Sequence, residues 1–343
     1  MAVPLVTVIV PARNEVDDIG PCLEAIAAQD HPVNRLEVIV VDGCSTDGTA
    51  DAARRALGRW GFGSTAVISN PGGTASSNLN VGLAKASGEI VCRVDARTRI
   101  EPHYVRTCVE ILTGRPEVAV VGGAQVAVER DPRARSIGIA RALNNRWSMG
   151  GSRYRRGGPS GEADTVYLGA FRRLDLLDEA GWDEALVSNQ DFDLNRRMAR
   201  RGIVWFEASL RSRYLPRDEL RLLWRQYRRF GRAKVRYWRH AAVRPQPRQW
   251  ALMVGPPAVM AAGGLLLLVV PARARTALAG LAVVGAFGVE AGGAGGPPGG
   301  LAARGVGVVA MAVTAGGWWV GVAQEIIAPS TEPLGSDLRG VAS

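Results

Sequence analysis

Lysine is nearly missing from this chain: of 42 basic residues only Lys85 and Lys234 are lysines. That bias reads as the codon usage of a GC-rich genome and carries no functional weight. Cysteine is scarce as well. Cys22, Cys44, Cys92 and Cys108 all lie in the first third, and none forms a CxxC pair. Their apolar or small-residue surroundings predict buried, reduced thiols in a cytosolic domain, not a disulfide framework or zinc site. No GxGxxG follows the first predicted strand, and no GxxxxGK[ST] occurs anywhere. The Rossmann dinucleotide and P-loop readings therefore lose their main support. The start also lacks a basic region and a cleavage site, so no secretory leader is expected.

What is present points to an ordinary core. The 343 residues are 47% hydrophobic and 22% charged, neither disordered nor collagen-like. That length suggests two domains, or one domain with an appendage. The net charge of +10 is unevenly spread. Residues 1–204 hold 25 basic and 25 acidic side chains, residues 205–248 hold 13 and 3, and residues 249–343 hold 4 of each. The whole excess sits in one stretch, which argues against a nucleic-acid partner, whose site stripes the folded body. It suits a segment lying just before a membrane.

Over the first 125 residues, short apolar runs alternate with helical patterns. Strands are predicted over Leu5–Val10, Leu36–Val41, Thr65–Ser69, Ile90–Asp95 and Val118–Gly122, with helices over Asp17–Ala28, Thr49–Leu57, Ser76–Ala86 and Pro102–Leu112. Near-continuous Val/Ile runs imply strands buried on both faces, hence a mostly parallel sheet flanked by helices in an α/β fold. Ligands of such sheets bind beyond the strands' carboxyl ends. Further on come a Gly-rich loop (Gly150–Gly161), the run Ala163–Phe171, a turn at Gly181-Trp182-Asp183, a helix near Asp191–Arg201 and a strand Ile203–Phe206.

Residues 217–240 read as an amphipathic helix. Leu220, Leu223, Trp224, Tyr227, Phe230 and Trp238 fall near one face, and arginines cover the rest. We expect it at a membrane interface; a helix packed on its own domain is the alternative. Residues 249–272 carry no charge, enough for about 36 Å of helix against a hydrocarbon core of about 30 Å. Residues 276–303 carry one charge, Glu290, and 305–324 none. Three spans are expected, the middle one weakest, with Glu290 marking its end; a soluble helical hairpin is the alternative. The expected plan is a catalytic domain over 1–215, an interfacial helix over 216–248, a membrane region over 249–328 and a polar tail over 329–343. The positive-inside rule puts the catalytic part in the cytoplasm of a multi-pass protein of the cell membrane.

Chemistry gathers at three strand ends. Pro11-Ala12-Arg13-Asn14-Glu15 follows strand one. Asp42 ends strand two, before Gly43-Cys44-Ser45-Thr46-Asp47-Gly48-Thr49, where its carboxylate can accept from a base or ribose; a turn with a helix cap is the plain reading of the loop. Asp95 ends strand four, as a hard oxygen ligand for Mg²⁺ or Mn²⁺ bridging to a diphosphate. Arg97 can meet phosphate directly. Asp191, at a helix start, is either a charge complementing the helix dipole or a general base.

In order, these pieces are Pro-x-Arg-Asn-Glu, Val-Val-Asp-Gly-Cys-Ser-Thr-Asp-Gly-Thr, Ser77-Asn78-Leu79-Asn80-x-Gly82-x-x-x-Ala86-x-Gly88-Glu89-Ile90, Val-Asp-Ala-Arg and Asn-Gln-Asp. Over about residues 5–232 the chain resembles family 2 glycosyltransferases of the GT-A fold, and among them the membrane-attached, succinoglycan-biosynthesis type. The resemblance implies inverting transfer from a nucleotide-diphosphate sugar. It puts Pro11, Arg13, Asn14, Glu15, Asp42, Asn78 and Asp95 around the nucleotide, with Asp95 also facing the metal. It makes Asp191 the base for the acceptor hydroxyl and Arg97 a diphosphate contact. It sets Gly169 and Ala170, with Gln226 and Arg229 of a Q-x-x-R-W-like motif, at the sugar and acceptor. Two departures stand out: Arg97 replaces the second aspartate of the family's DxD, and Gln190 replaces an acidic residue before the base.

The expected acceptor is a hydroxyl of a lipid-linked glycan in envelope or exopolysaccharide synthesis, with membrane lipid as a further partner. The alternatives are direct transfer to a polyprenyl phosphate and a non-catalytic nucleotide-sugar-binding membrane protein. A transporter has too few spans for the size of the soluble part. A pore-forming processive synthase is disfavoured by three modest spans and by Phe230 in place of Trp.

Overall fold

Strand β1 (Val6–Ala12) is apolar almost throughout, and every residue of β2 (Leu36–Asp42) is buried. Such strands need cover on both faces. Helices α1 (Val16–Ala27), α2 (Thr49–Leu57), α3 (Ala75–Lys85) and α4 (Tyr104–Gly114) alternate with β3 (Ser64–Ser69), β4 (Ile90–Arg93) and β5 (Thr98–Ile100). Two apolar clusters result, one holding Val8, Ile19, Leu23, Val38 and Cys108, the other Ile9, Leu79, Val120, Phe171 and Trp182. The structure, a computed structural model, describes residues 3–148, 152–247, 249–255, 271–293 and 298–330.

Later come β6 (Val118–Ala127), α5 (Ala134–Asn144), α6 (Arg153–Arg156), β7 (Gly161–Glu162), β8 (Tyr167–Arg172), α7 (Arg173–Asp178), α8 (Gln190–Met198), β9 (Ile203–Tyr214) and α9 (Leu220–His240). Helices Ala272–Gly292 and Leu301–Ile327 follow. Among the described residues the strands form a nine-stranded sheet in the order β3-β2-β1-β4-β8-β6-β9-β5, with β7 beside β9. The sequence predicts a mostly parallel sheet; the sheet is mixed. Strands β1 to β4 pair in parallel, whereas β8 runs antiparallel to β4 and β6, and β9 antiparallel to β5 and β7. Apolar runs report burial, not strand direction, and so the antiparallel half is not written in them.

Strands β2, β1 and β4 are parallel neighbours, with Ala12 level with Asp42 and Ile9 level with Arg93. Their carboxyl ends share one edge, about 5 Å apart per strand. Strand β4 stops at Arg93, short of the expected Asp95. The chain then turns, with the Thr98 amide donating to the Asp95 carbonyl at 2.8 Å. Asp95 thereby leaves the ladder and stands on the turn.

Two compact units divide the chain. One gathers the described residues up to Val126 and those of Ser152–Leu215; the other gathers those of Ala127–Gly151 and Pro216–Thr331. A single cut at 215 misses the return of 127–151 to the second unit. Within that unit, α9 packs along Leu301–Ile327 through glycine. A Cβ on Gly231 would sit 2.0 Å from the Trp318 carbonyl oxygen, and one on Gly321 would sit 2.0 Å from that of Arg228. Only glycine lets the two backbones come so close.

Charge inside the second unit is paired. Glu325 is 1% exposed and meets Arg232, Arg236 and Arg239 of α9 at 3.3, 3.2 and 3.7 Å. The basic helix therefore buries Arg236 and shares the same carboxylate with the more open Arg232 and Arg239, whereas the amphipathic reading gives all three to the polar side. Glu290, expected to mark a span's end, is buried against Arg141 of α5. Asn145 donates to the carbonyls of Val289 and Glu290, at 3.1 Å each. Of the three expected spans, 249–272 lies mostly outside the described residues. Among the described residues one helix, Leu301–Ile327, is long and apolar enough to cross a membrane, with a mean hydropathy of 1.7 over its most apolar window. Ala272–Gly292 holds only a shorter apolar stretch, Gly280–Gly292.

Candidate active site

The loop after β1 and the loop after β2 are knitted together. Asn14 adopts a left-handed φ of 53°. Its amide donates to Ser45 Oγ at 2.9 Å, and its Oδ1 accepts from the Thr46 amide at 2.9 Å. Asp47 accepts from the Val16 and Thr49 amides at 3.1 and 3.0 Å. Although partial burial works the other way, the Thr49 hydroxyl and these amides hold the Asp47 carboxyl below the usual carboxylate range. Non-glycine residues held at positive φ cost energy and gather where backbone position matters. Cys44 (φ 58°) and Asn189 (φ 70°) share the feature. Cys44 is exposed, against the expectation of four buried thiols; the other three are buried, and burial pushes Cys22 up to about 12.

Asp42 is 4% exposed, and its carboxylate accepts from the amide and hydroxyl of Ser45. It shapes the turn that follows β2. Asn78 is buried too, accepting from Asn70 Nδ2 at 2.9 Å and backing onto Gly43. A capping box between Thr74 and Ser77 sets the start of α3 and with it Asn78. Arg13 is exposed and reaches the Gly73 carbonyl at 3.5 Å. Pro11, at the end of β1, is half-buried.

The acidic pair Asp95 and Asp191 does meet, through a residue that the sequence expectations leave out. Arg93, the last residue of β4, donates from Nε to Asp95 Oδ1 at 2.7 Å and from Nη2 to Asp95 Oδ2 at 3.3 Å. Its Nη1 donates to Asp191 Oδ1. The Arg93 side chain is 8% exposed and that of Asp191 40%. Crowding by protein pushes the Asp191 carboxyl above its ordinary range; Arg93 opposes this and the charge of Asp95 adds to it. The open part of the side chain lets water moderate that push. The buried Trp182 indole N–H also favours the charged form, though its geometry falls short of a full hydrogen bond. A signal for Arg93 exists in the sequence: a lone cation in the apolar run Ile90-Val91-Cys92-Arg93-Val94 must find an anion when buried.

Other predicted residues lie elsewhere. Arg97 donates from Nε to Glu15 at 2.6 Å, so its cation is already shared with a carboxylate. Ala170 is fully buried in the core and presents nothing to a ligand; Gly169 beside it is half-buried. Gln226 and Arg229 stand half-buried on α9, in the unit that does not hold the three carboxylates.

A divalent cation at Asp95 would find one carboxylate, with both oxygens already accepting from Arg93. Among the described residues no group of three or more His, Cys, Asp or Glu side chains could hold a metal. One carboxylate is enough for Mg²⁺ or Mn²⁺ where diphosphate oxygens and water complete the shell, so Asp95 would be the protein's ligand to such an ion.

The sequence profile of Glycosyl transferase family 2 matches residues 7–180. The chain belongs to this family. Transfer is therefore of the inverting kind that the family performs from nucleotide-diphosphate sugars. The transferase is similar to the succinoglycan biosynthesis protein ExoA of Rhizobium meliloti (strain 1021), 28% identical over 268 residues, which cover 76% of this chain and 78% of that one. It is also similar to the dolichyl N-acetyl-alpha-D-glucosaminyl phosphate 3-beta-D-2,3-diacetamido-2,3-dideoxy-beta-D-glucuronosyltransferase of Methanococcus voltae, 24% identical over 67% of this chain and 72% of that one. Among solved structures, the mannosyltransferase PcManGT from Pyrobaculum calidifontis, in complex with GDP-Man and Mn²⁺, superposes with a TM-score of 0.61 at 20% identity, covering 96% of this transferase and 89% of that chain. That likeness gives the transferase the GT-A fold.

Proposed function

We propose that this transferase moves a sugar from a nucleoside-diphosphate sugar to a hydroxyl of a lipid-linked glycan at the cytoplasmic face of a membrane. The observation that carries the reading is the placing of Asp191. It stands in the first turn of α8, partly open to solvent and tied through Arg93 to Asp95 at the carboxyl edge of the sheet. Asp191 takes the proton from the acceptor hydroxyl. The freed oxygen attacks the anomeric carbon in line, and the bond from that carbon to the diphosphate breaks, its electron pair leaving with the phosphate. One displacement inverts the centre. A carboxyl held above its ordinary range is the better base at neutral pH.

Pro11, Arg13, Asn14, Glu15, Asp42, Asn78 and Asp95 are the proposed nucleotide surroundings. Arg97 faces the diphosphate, where its guanidinium offsets the charge that develops on departure. Gly169, Gln226 and Arg229 are proposed for the sugar and acceptor. Asp95 would hold Mg²⁺ or Mn²⁺ together with diphosphate oxygens and water, and the ion would offset charge on the leaving diphosphate. The membrane part of the reading rests on the apolar Leu301–Ile327 helix and on the basic excess of residues 205–248. Multi-pass insertion needs 249–272 and 276–303 to cross as well.

The test is a panel of nucleotide sugars on membranes holding the full chain, with and without EDTA, reading the released nucleoside diphosphate. Transfer from one donor is expected, and EDTA is expected to lower it. Release from no donor defeats the assignment, and full transfer in EDTA defeats the placing of a metal at Asp95.

A further inference from the structure

The guanidinium of Arg93 is nearly closed off from solvent and bonds two carboxylates, one close by in the chain and one far along it. One is Asp95, two residues on, gripped by Nε and Nη2 at 2.7 and 3.3 Å. The other is Asp191, reached from Nη1. Arginine suits this task because its planar fork offers donors in fixed directions and cannot lose its proton. Its backbone is pinned in the sheet, where Arg93 lies level with Ile9 of β1. Asp191 sits on a helix start and Asp95 on a turn, so neither has a ladder of its own to fix its side chain. Without the cation between them, two carboxylates would share a crowded pocket and repel.

We propose that Arg93 is a positioning residue for the transfer: it fixes the base Asp191 relative to the donor-side carboxylate Asp95. The assignment rests on the transfer reading above. It gives Asp95 a cation of its own, since Arg97 is tied to Glu15. It also makes the base's position a property of β4, a strand paired on both sides.

The experiment is one double-variant cycle and a set of transfer assays on the full-length chain in membranes and in detergent. Thermal midpoints are measured for wild type, Arg93→Gln, Asp191→Asn and the double variant. Arg93→Gln lowers the midpoint, and adding Asp191→Asn restores part of it, because a neutral amide no longer needs the cation. Midpoint shifts that simply add overturn the proposal. In transfer assays Arg93→Gln lowers kcat by about 100-fold with the donor KM within about three-fold, the pattern of a misplaced base. Arg93→Lys, which keeps the charge but not the fork, recovers about a tenth of wild-type kcat. Loss of donor affinity with kcat kept, or Arg93→Gln at near wild-type kcat, overturns it. If wild type transfers from no donor, the transfer reading falls, while the midpoint cycle still decides whether Arg93 couples to Asp191.

Discussion

Asp191 and Asp193 stand two residues apart in the first turn of α8 and take different tasks. Asp193 is buried and accepts from Arg197 Nε at 2.8 Å, while the rest of that guanidinium donates to the carbonyls of Glu179 and Gly181 at 2.6 and 2.7 Å. It ties α8 to the turn before it. Asp191 looks instead to Arg93 and to solvent. Asp191→Asn is therefore expected to lower kcat by about 10²–10⁴-fold while the fold persists. Asp193→Asn is expected to cost about 1–3 kcal/mol of stability with kcat little changed at permissive temperature. Steady-state kinetics beside thermal unfolding separates the two; equal kinetic damage from both would remove the distinction. The pH dependence follows from the upward shift of Asp191. The base acts when ionised, so kcat/KM falls as pH drops through its raised pKa. The acid limb then lies above the ordinary carboxylate range, and a limb at or below that range contradicts the assignment. In the sequence Asp191 was legible from its place at a helix start, but its partner was not. Linear spacing says nothing about Arg93 reaching a residue 98 positions away.

At the scale of elements, the parallel half of the sheet is written plainly in the chain. The helix predicted over Thr49–Leu57 forms with those bounds, and β2 runs one residue past its predicted end, to Asp42. Helix α3 shows why element starts matter for the site. Thr74 accepts from the Ser77 amide at 3.0 Å, and Ser77 Oγ accepts from the Thr74 amide at 3.2 Å. Thr74→Ala removes one arm of that box and should cost about 1 kcal/mol. Because Asn78 and Asn70 hang from the same turn, the variant should also raise the donor KM more than it lowers kcat. Unfolding curves and donor titration check both; an unchanged KM would detach the cap from the nucleotide loop. The antiparallel half was less legible. Strand β9 reaches Tyr214, beyond the predicted Phe206, because only alternate residues such as Val204, Phe206, Leu210 and Ser212 turn inward. Arginines at 211 and 213 fill the outward positions and break the apolar run that marks a strand in sequence.

At the scale of the whole molecule, the question is whether charge or apolar surface holds the protein to a membrane. The basic excess of residues 205–248 argues for charge. Yet Arg232, Arg236 and Arg239 are drawn to the buried Glu325, and they offer a lipid surface less than their number suggests. Arg221, Arg225 and Arg228 are exposed and do offer it. Apolar exposure is the larger feature. In the second unit Leu281, Val283, Val284, Leu301 and Ile327 all show more than half their surface. A water-soluble protein rarely leaves so many such side chains uncovered within one pair of helices. Surface electrostatics is screened within about 3 Å at about 1 M salt, whereas hydrophobic insertion is not weakened by it. Membranes bearing the full chain should therefore keep it in the pellet after washes with about 1 M salt and after alkaline carbonate. Replacing Arg221, Arg225 and Arg228 together with Gln should leave that retention intact and weaken only the salt-sensitive binding of the detergent-solubilised protein to anionic vesicles. Release of the wild type by salt alone would make the arginines the anchor and leave the Leu301–Ile327 helix a core element of its own unit.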